Sequence, residues 1–209
     1  MNQEEHKPAS EERIELAGRA TEHAGDDTPR IYVASLLDYS CGVLHGGWID
    51  AEQDVEAMEA AATAMLASSP VAAREGLAAE EWAIHDYEGG GLERLPIDEY
   101  QPLADIARIV ALLGEHDEAF IVLARFSGLD DIDFLETVMR DGYRGHWPTF
   151  ERYAEQHFDD MGGTAYIAAA PAHLRPYLRL DSAGLAEALA TDLTILRGSE
   201  GVHVFDPNL

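Results

Sequence analysis

Apolar residues first settle into a regular pattern at Arg30. Ile31-Tyr32-Val33-Ala34-Ser35-Leu36-Leu37 is rich in strand-forming side chains and predicts a β-strand. Gly42, Gly46 and Gly47 then mark a loop that leads to Trp48-Ile49. Asp50 with Gln53 three residues on has the pattern of a capping box. It predicts a helix whose apolar face is Val55, Met58, Ala62, Met65 and Leu66, ended by Ser68-Ser69-Pro70. Trp82 and Ile84 alternate with other residues across Glu81–Asp86, which predicts a second strand, and Glu88-Gly89-Gly90-Gly91 closes the unit. Trp48 and Trp82 are expected as core anchors.

After Pro102 the period lengthens. Leu103, Ile106, Ala107, Val110 and Leu113 predict a helix stopped by Gly114, and Ala119, Val122, Leu123 and Phe126 predict another. A third, capped by Asp131 or Asp133, carries Leu135, Val138 and Met139 inward and ends at Gly142. Pro148 suits the first turn of a helix bearing Phe150, Tyr153 and His157. Tyr166-Ile167 reads as a short strand, and Ser182 as the cap of a helix carrying Leu185, Ala188 and Leu189. Leu193–Leu196 and Val202–Phe205, on either side of Gly198-Ser199-Glu200-Gly201, give the clearest hairpin signal. The expected fold class is α+β, an elongated chain of three small domains (α+β, helical, α+β). An acidic flexible extension at 1–29 precedes an N-terminal α+β domain at 30–91, a middle helical domain at 92–145 and a C-terminal α+β domain at 146–209.

Charge changes this picture more than any motif. The 209 residues include 14 Lys+Arg against 40 Asp+Glu, a formal net charge of -26, while the apolar fraction of 46% is ordinary for a folded protein. Self-repulsion on this scale destabilises a compact state, which suggests a use for the charge. DNA, RNA and anionic lipid would be repelled, so neither a nucleic-acid nor a membrane partner is expected. The natural partner is a basic surface of the kind that binds nucleic acid. An acidic proteome, as in a salt-rich cytosol, explains the same composition, and so a small acidic enzyme or an acidic chaperone-like module for basic nucleic-acid-binding proteins stays open. A lone Cys41 excludes an internal disulfide, and the absence of a signal-peptide pattern or a long apolar run points to a cytoplasmic protein.

The carboxylates are unevenly placed. From Ile31 to Ala73 there is no Lys or Arg, but there are Asp38, Asp50, Glu52, Asp54, Glu56 and Glu59. Glu75 to Glu93 is again without a base. Glu52, Glu56 and Glu59 would fall on one stripe of the first helix, where like charges cost a few tenths (~0.2–0.5) of a kcal/mol per pair. The remaining candidate carboxylates are Glu80, Glu81, Asp86, Glu88, Asp98, Glu99, Asp105, Glu115, Asp117, Glu118, Asp130, Asp131, Asp133, Glu136, Asp141, Asp159 and Asp160. Duplex DNA carries one negative charge per about 1.7 Å, so the net charge would match about 44 Å of duplex, or about 88 Å in a dimer. His45, His85 and Asp86 have no metal-ligand spacing, and Asp130-Asp131-Ile132-Asp133 lacks the glycine and final glutamate of a calcium loop. No metal, cofactor or catalytic residue is expected.

The chain also resembles a known family. Ile31-Tyr32-Val33-Ala34-Ser35-Leu36, Tyr39 and Gly42-Val43-Leu44-His45-Gly46-Gly47-Trp48-Ile49-Asp50 resemble the opening block of ArdA antirestriction proteins. Glu81-Trp82-Ala83-Ile84-His85-Asp86-Tyr87-Glu88-Gly89 is similar to their second block, and Tyr143-Arg144-Gly145 and Val202-His203-Val204-Phe205 to their later pattern. The resemblance implies an elongated acidic homodimer that imitates bent duplex DNA. Its implied target is a type I restriction–modification enzyme, whose specificity and methyltransferase subunits clamp DNA. The candidate carboxylates would then be the mimic of the phosphates.

Overall fold

The computed structural model describes residues 27–208. Most of the extension expected at 1–29 therefore lies outside the described residues. Its last part is already attached. The Pro29 carbonyl accepts from Ala51 N at 2.9 Å, and Gly90 N donates to the Asp27 carboxylate at 3.2 Å.

The first sheet has the order β2-β1-β3, with β1 (Arg30–Ser35) flanked antiparallel by β2 (Gly46–Asp50) and β3 (Trp82–Glu88). Alternation puts Ile31, Val33 and Ile49 on the buried face. The register shifts between Tyr32 and Val33, beyond the Trp82/Ile84 pair, so Trp82 and Ile84 stay on the side that packs on the core while Ala83 is buried beside Ala34 on the other face. The strand is shorter than expected because Ser35 turns the chain. Its hydroxyl donates to the Asp38 carboxylate at 2.6 Å, and Leu36-Leu37 open the short helix α1 (Leu36–Ser40) instead.

The helix α2 (Val55–Ala67) starts later than the capping-box pattern indicates. Asp54 is its cap, accepting from Ala57 N at 2.7 Å, while Asp50 ends β2 and takes the Glu52 N–H at 2.8 Å in a local turn. Ser68-Ser69-Pro70 both ends α2 and begins α3 (Pro70–Glu75), an unanticipated helix with Ser69 as cap and Pro70 in its first turn. The Gly89-Gly90-Gly91 segment is packed. Gly89 has φ +77°, and a Cβ there would collide with the Thr28 carbonyl, so glycine is required. A single 3-10 turn at Leu92–Arg94 then buries Leu92 fully.

The helix α4 (Leu103–His116) runs through Gly114, and the reversal comes instead at Asp117, which takes φ 43°. Tertiary packing overrides the modest cost of a helical glycine. The next helix, α5 (Glu118–Ser127), buries Ala119, Phe120, Ile121, Leu123 and Ala124, whereas Phe126 is 65% exposed. Asp131 caps α6 (Ile132–Thr137), which passes into a wide π turn at Val138–Gly142.

The second sheet has the order β4-β6-β5, built from β4 (Tyr143–Trp147), β5 (Thr194–Arg197) and β6 (Val202–Phe205). The β5–β6 hairpin matches the sequence pattern, but β4 was not anticipated. Between them come α7 (Phe150–Asp160), α8 (Gly163–Ala169) and α9 (Ser182–Leu189). Thr149, not Pro148, opens α7, and Asp181, not Ser182, caps α9. The Tyr166-Ile167 strand is instead part of α8, where alanines favour a helix.

One apolar cluster runs through the chain. It includes Ile31, Val33 and Met58 of the first unit, Ile106, Ile109 and Phe120 of the helices, and Phe205 of the second sheet. Each such side chain contributes about 1.5–3 kcal/mol by leaving water.

Candidate functional site

The acidic surface is built mostly from residues whose backbone places their side chains outward. Asp50, Glu52, Asp54, Glu56 and Glu59 are all exposed, and no Lys or Arg occurs near them in sequence. Glu52 precedes α2, so it does not share a helical stripe with Glu56 and Glu59 as expected. The five instead form an acidic ridge along the chain, running from the end of β2 through its connection into the first turns of α2, where the positive end of the helix favours Asp54 and Glu56. Glu80 and Glu81 are exposed just before β3, and Asp86 on it. Exposed too are Asp98, Glu99, Glu115, Asp117, Asp130, Asp131, Asp133, Asp141, Asp159 and Asp160.

Glu88, Asp105, Glu118 and Glu136 are half-buried, and each is held by a cation or a donor set. Arg30 Nε donates to Glu88 at 2.6 Å. Arg108 binds Glu136 through two bonds of 2.7 and 2.8 Å, pairs with Asp133, and lies 3.6 Å from Asp105. The hydrogen bond from Arg108 holds the Glu136 carboxyl below its ordinary range. Glu118 accepts from Ser199 N at 2.8 Å, from the Ser199 hydroxyl at 3.2 Å, and lies 3.4 Å from His203 Nε2. The backbone bond from Ser199 leads in lowering its pKa. His203 in turn meets the Tyr143 hydroxyl at 2.9 Å. Glu118 therefore fastens the β5–β6 turn to the start of α5. Sequence alone could not separate Glu88, Glu118 and Glu136 from the free carboxylates, because the hydrogen-bond partners that hold them lie 28 to 85 residues away, whereas Asp105 has Arg108 three residues on.

Asp38 is the one carboxylate of the first acidic run that is fully buried. Burial raises its pKa, but bonds from Ser35, Ser69 and Val71 N outweigh that and leave it lowered. It ties the β1–α1 turn to α3, with Val71 N donating at 3.0 Å. The histidines go to separate places. His45 Nε2 meets the Met65 carbonyl at 2.8 Å, and His85 lies edge-on to Tyr39 with ring centroids 4.8 Å apart. Among the described residues no group of three or more His, Cys, Asp or Glu is placed to hold a metal ion. No helix among them is long and apolar enough to cross a membrane.

The outer face of the first sheet also carries residues that the sequence reading misplaced. Arg30 pairs with Asp50 and Glu88, and Tyr32 with Trp48 and Asp86, so all six share that face. Trp48 is 41% exposed rather than a core anchor. The parity of Arg30 and Tyr32 against Ile31 and Val33 carried that signal.

The opposite extreme of charge is the stretch from Met161 to Leu180, which contains no Asp or Glu but has Arg175 and Arg179. Nearly all of it is exposed, Tyr166 and Tyr177 included.

The model of the family described as Antirestriction protein (ArdA) matches residues 31–204. The chain belongs to the ArdA family. Membership implies an antirestriction function and a restriction–modification enzyme as the kind of partner. ArdA proteins are inhibitors. No curated protein matches the chain.

Proposed function

We propose that the exposed carboxylates of this ArdA protein imitate the phosphates of duplex DNA, and that the chain competes for the DNA-binding groove of type I restriction–modification enzymes. The observation that carries this reading is the ridge of five exposed acidic residues from Asp50 to Glu59, within a run of 43 residues, 31–73, that lacks any Lys or Arg. A basic groove preformed for DNA gains complementary charge from such a ridge without any chemical step. The units at 30–91, 92–145 and 146–209 display this charge in one elongated band, and a homodimer doubles its length. The specificity and methyltransferase subunits form the groove, and the inhibitor acts in the cytoplasm.

The test is a titration of the protein into a type I methyltransferase bound to a labelled DNA site, at two salt concentrations. Displacement near stoichiometric protein, weakening as salt rises, is the expected result. No displacement at large excess would sink the reading. Charge is shared among many groups, so Glu56→Gln alone should change half-displacement by less than about twofold. Replacing Asp50, Glu52, Glu56 and Glu59 together with their amides should weaken binding about 100-fold and reduce its salt dependence. Equal losses from the single and quadruple changes would contradict shared charge.

A further inference from the structure

We infer that the outer face of the first sheet holds an aromatic anchor, Trp48 braced by Tyr32 and Arg30, which packs against cationic side chains in the partner's groove. The inference rests on the mimicry reading and adds a contact that charge matching alone does not supply.

The cluster is built in layers. Tyr32 lies over Gly46, where a Cβ would come within 2.8 Å of its ring, so the missing side chain gives the ring its seat. The Tyr32 ring meets Trp48 edge-on, with centroids 5.4 Å apart at 66°. The Arg30 guanidinium lies 5.0 Å from the Trp48 centroid and is held from the other side by Glu88. Trp48 is thus fixed before any partner arrives, which reduces the entropy lost on binding. An ordinary acidic face made only for solubility has no need to hold an indole in this way.

Charge complementarity names the occupant. Asp50, Asp86 and Glu88 share this face with one base, Arg30, which Glu88 already engages. A basic groove fits this surface, and an acidic one is repelled. Lys and Arg stems pack on an indole, and their cationic heads favour its ring face, by about 0.5–2 kcal/mol per contact. Trp, Tyr and Arg are also the residues most often found at energetic centres of interfaces.

Two measurements on the full chain decide it. In the displacement titration, Trp48→Ala should raise the concentration for half-displacement about tenfold, while the dependence on salt keeps its wild-type slope. Trp48→Phe should recover most of the loss. The quadruple carboxylate variant should show the opposite signature, a reduced slope. Hydroxyl-radical footprinting of the wild-type protein gives a readout independent of any variant's folding. Trp48 should be oxidised in the free protein and protected by the methyltransferase. Wild-type displacement and slope with Trp48→Ala would overturn the anchor and leave mimicry standing. Protection of Trp48 already in the free protein would overturn it as well, by assigning the face to residues 1–26 or to a second copy. Failure of the wild-type protein to displace DNA would remove the mimicry reading, and the anchor with it.

Discussion

The two three-stranded sheets are similar in size but use charge in opposite ways. Around β2-β1-β3, most acidic groups stand in solvent, Glu88 with its Arg30 partner and the buried Asp38 excepted, and among the described residues Glu52, Glu56 and Glu59 have no ion pair. Around β4-β6-β5, the acidic groups at the sheet are bound inward. Glu118 takes Ser199 and His203, and Asp206 takes Arg144 at 3.0 Å. That hydrogen bond from Arg144 leads in lowering the Asp206 pKa. A carboxylate count treats both regions alike, although one set is free to meet a partner and the other stabilises the fold. Total charge is therefore a poor guide to which residues act.

Several substitutions can break this comparison. The largest effect is expected at Phe205 of β6, fully buried in the shared core. Phe205→Ala should cost about 3–5 kcal/mol in denaturant unfolding. Loss of only the second sheet's signal, with the helices intact, would show that the core is not shared as the packing indicates. Next comes Glu118→Ala, which leaves Ser199 N and His203 without their acceptor and should cost about 1–3 kcal/mol.

Acid sharpens the same point. The folded pKa of Glu118 is lowered, so its stabilisation is fully present above the unfolded value of about 4.3 and is lost as pH falls through the folded value. Stability should thus decline as pH drops below about 4.3, and less steeply in Glu118→Gln than in wild type. Parallel acid limbs would remove Glu118 from the clamp. The smallest effect is expected at the free ridge. Glu56→Gln should shift stability by no more than about 0.5 kcal/mol, because the repulsion it relieves is opposed by the attraction to the helix start that it gives up. A loss as large as that of Glu118→Ala would erase the distinction between the two sheets. Added salt should raise the melting temperature of the free protein while weakening its complex, since screening relieves repulsion in one and attraction in the other.

Local periodicity made β1, β3, α2, α4, α5 and the β5–β6 hairpin legible in the sequence. It failed where long-range packing decides. Gly114 stays helical because α4 is held along its length, and β4 forms because β6 supplies its hydrogen-bond partners. Tyr143-Arg144-Gly145-His146-Trp147 has too little alternation to announce a strand. The site shows the same limit. The exposed ridge at Asp50–Glu59 was readable from its lack of bases, yet the shift of the cap to Asp54 moved Glu52 off the helix. The burial of Asp38 depends on Ser35, Ser69 and Val71 converging from two segments. Glu88, Glu118 and Glu136 depend on arginines, a serine and a histidine distant in sequence, whereas Asp105 meets the nearby Arg108.

The stretch from Met161 to Leu180 gives the molecule a direction. Its α8 packs chiefly on α7, and with Arg175 and Arg179 and no carboxylate it is a cationic segment inside a strongly anionic chain. In the field of a basic groove such a chain does not tumble freely. On the proposed reading, the groove attracts the acidic ridge at Asp50–Glu59 and does not attract this segment, which biases how the protein is turned during diffusion. Encounters then begin in a productive orientation, and the association rate, more than the lifetime of the complex, should fall as ions fill the gap between the two surfaces.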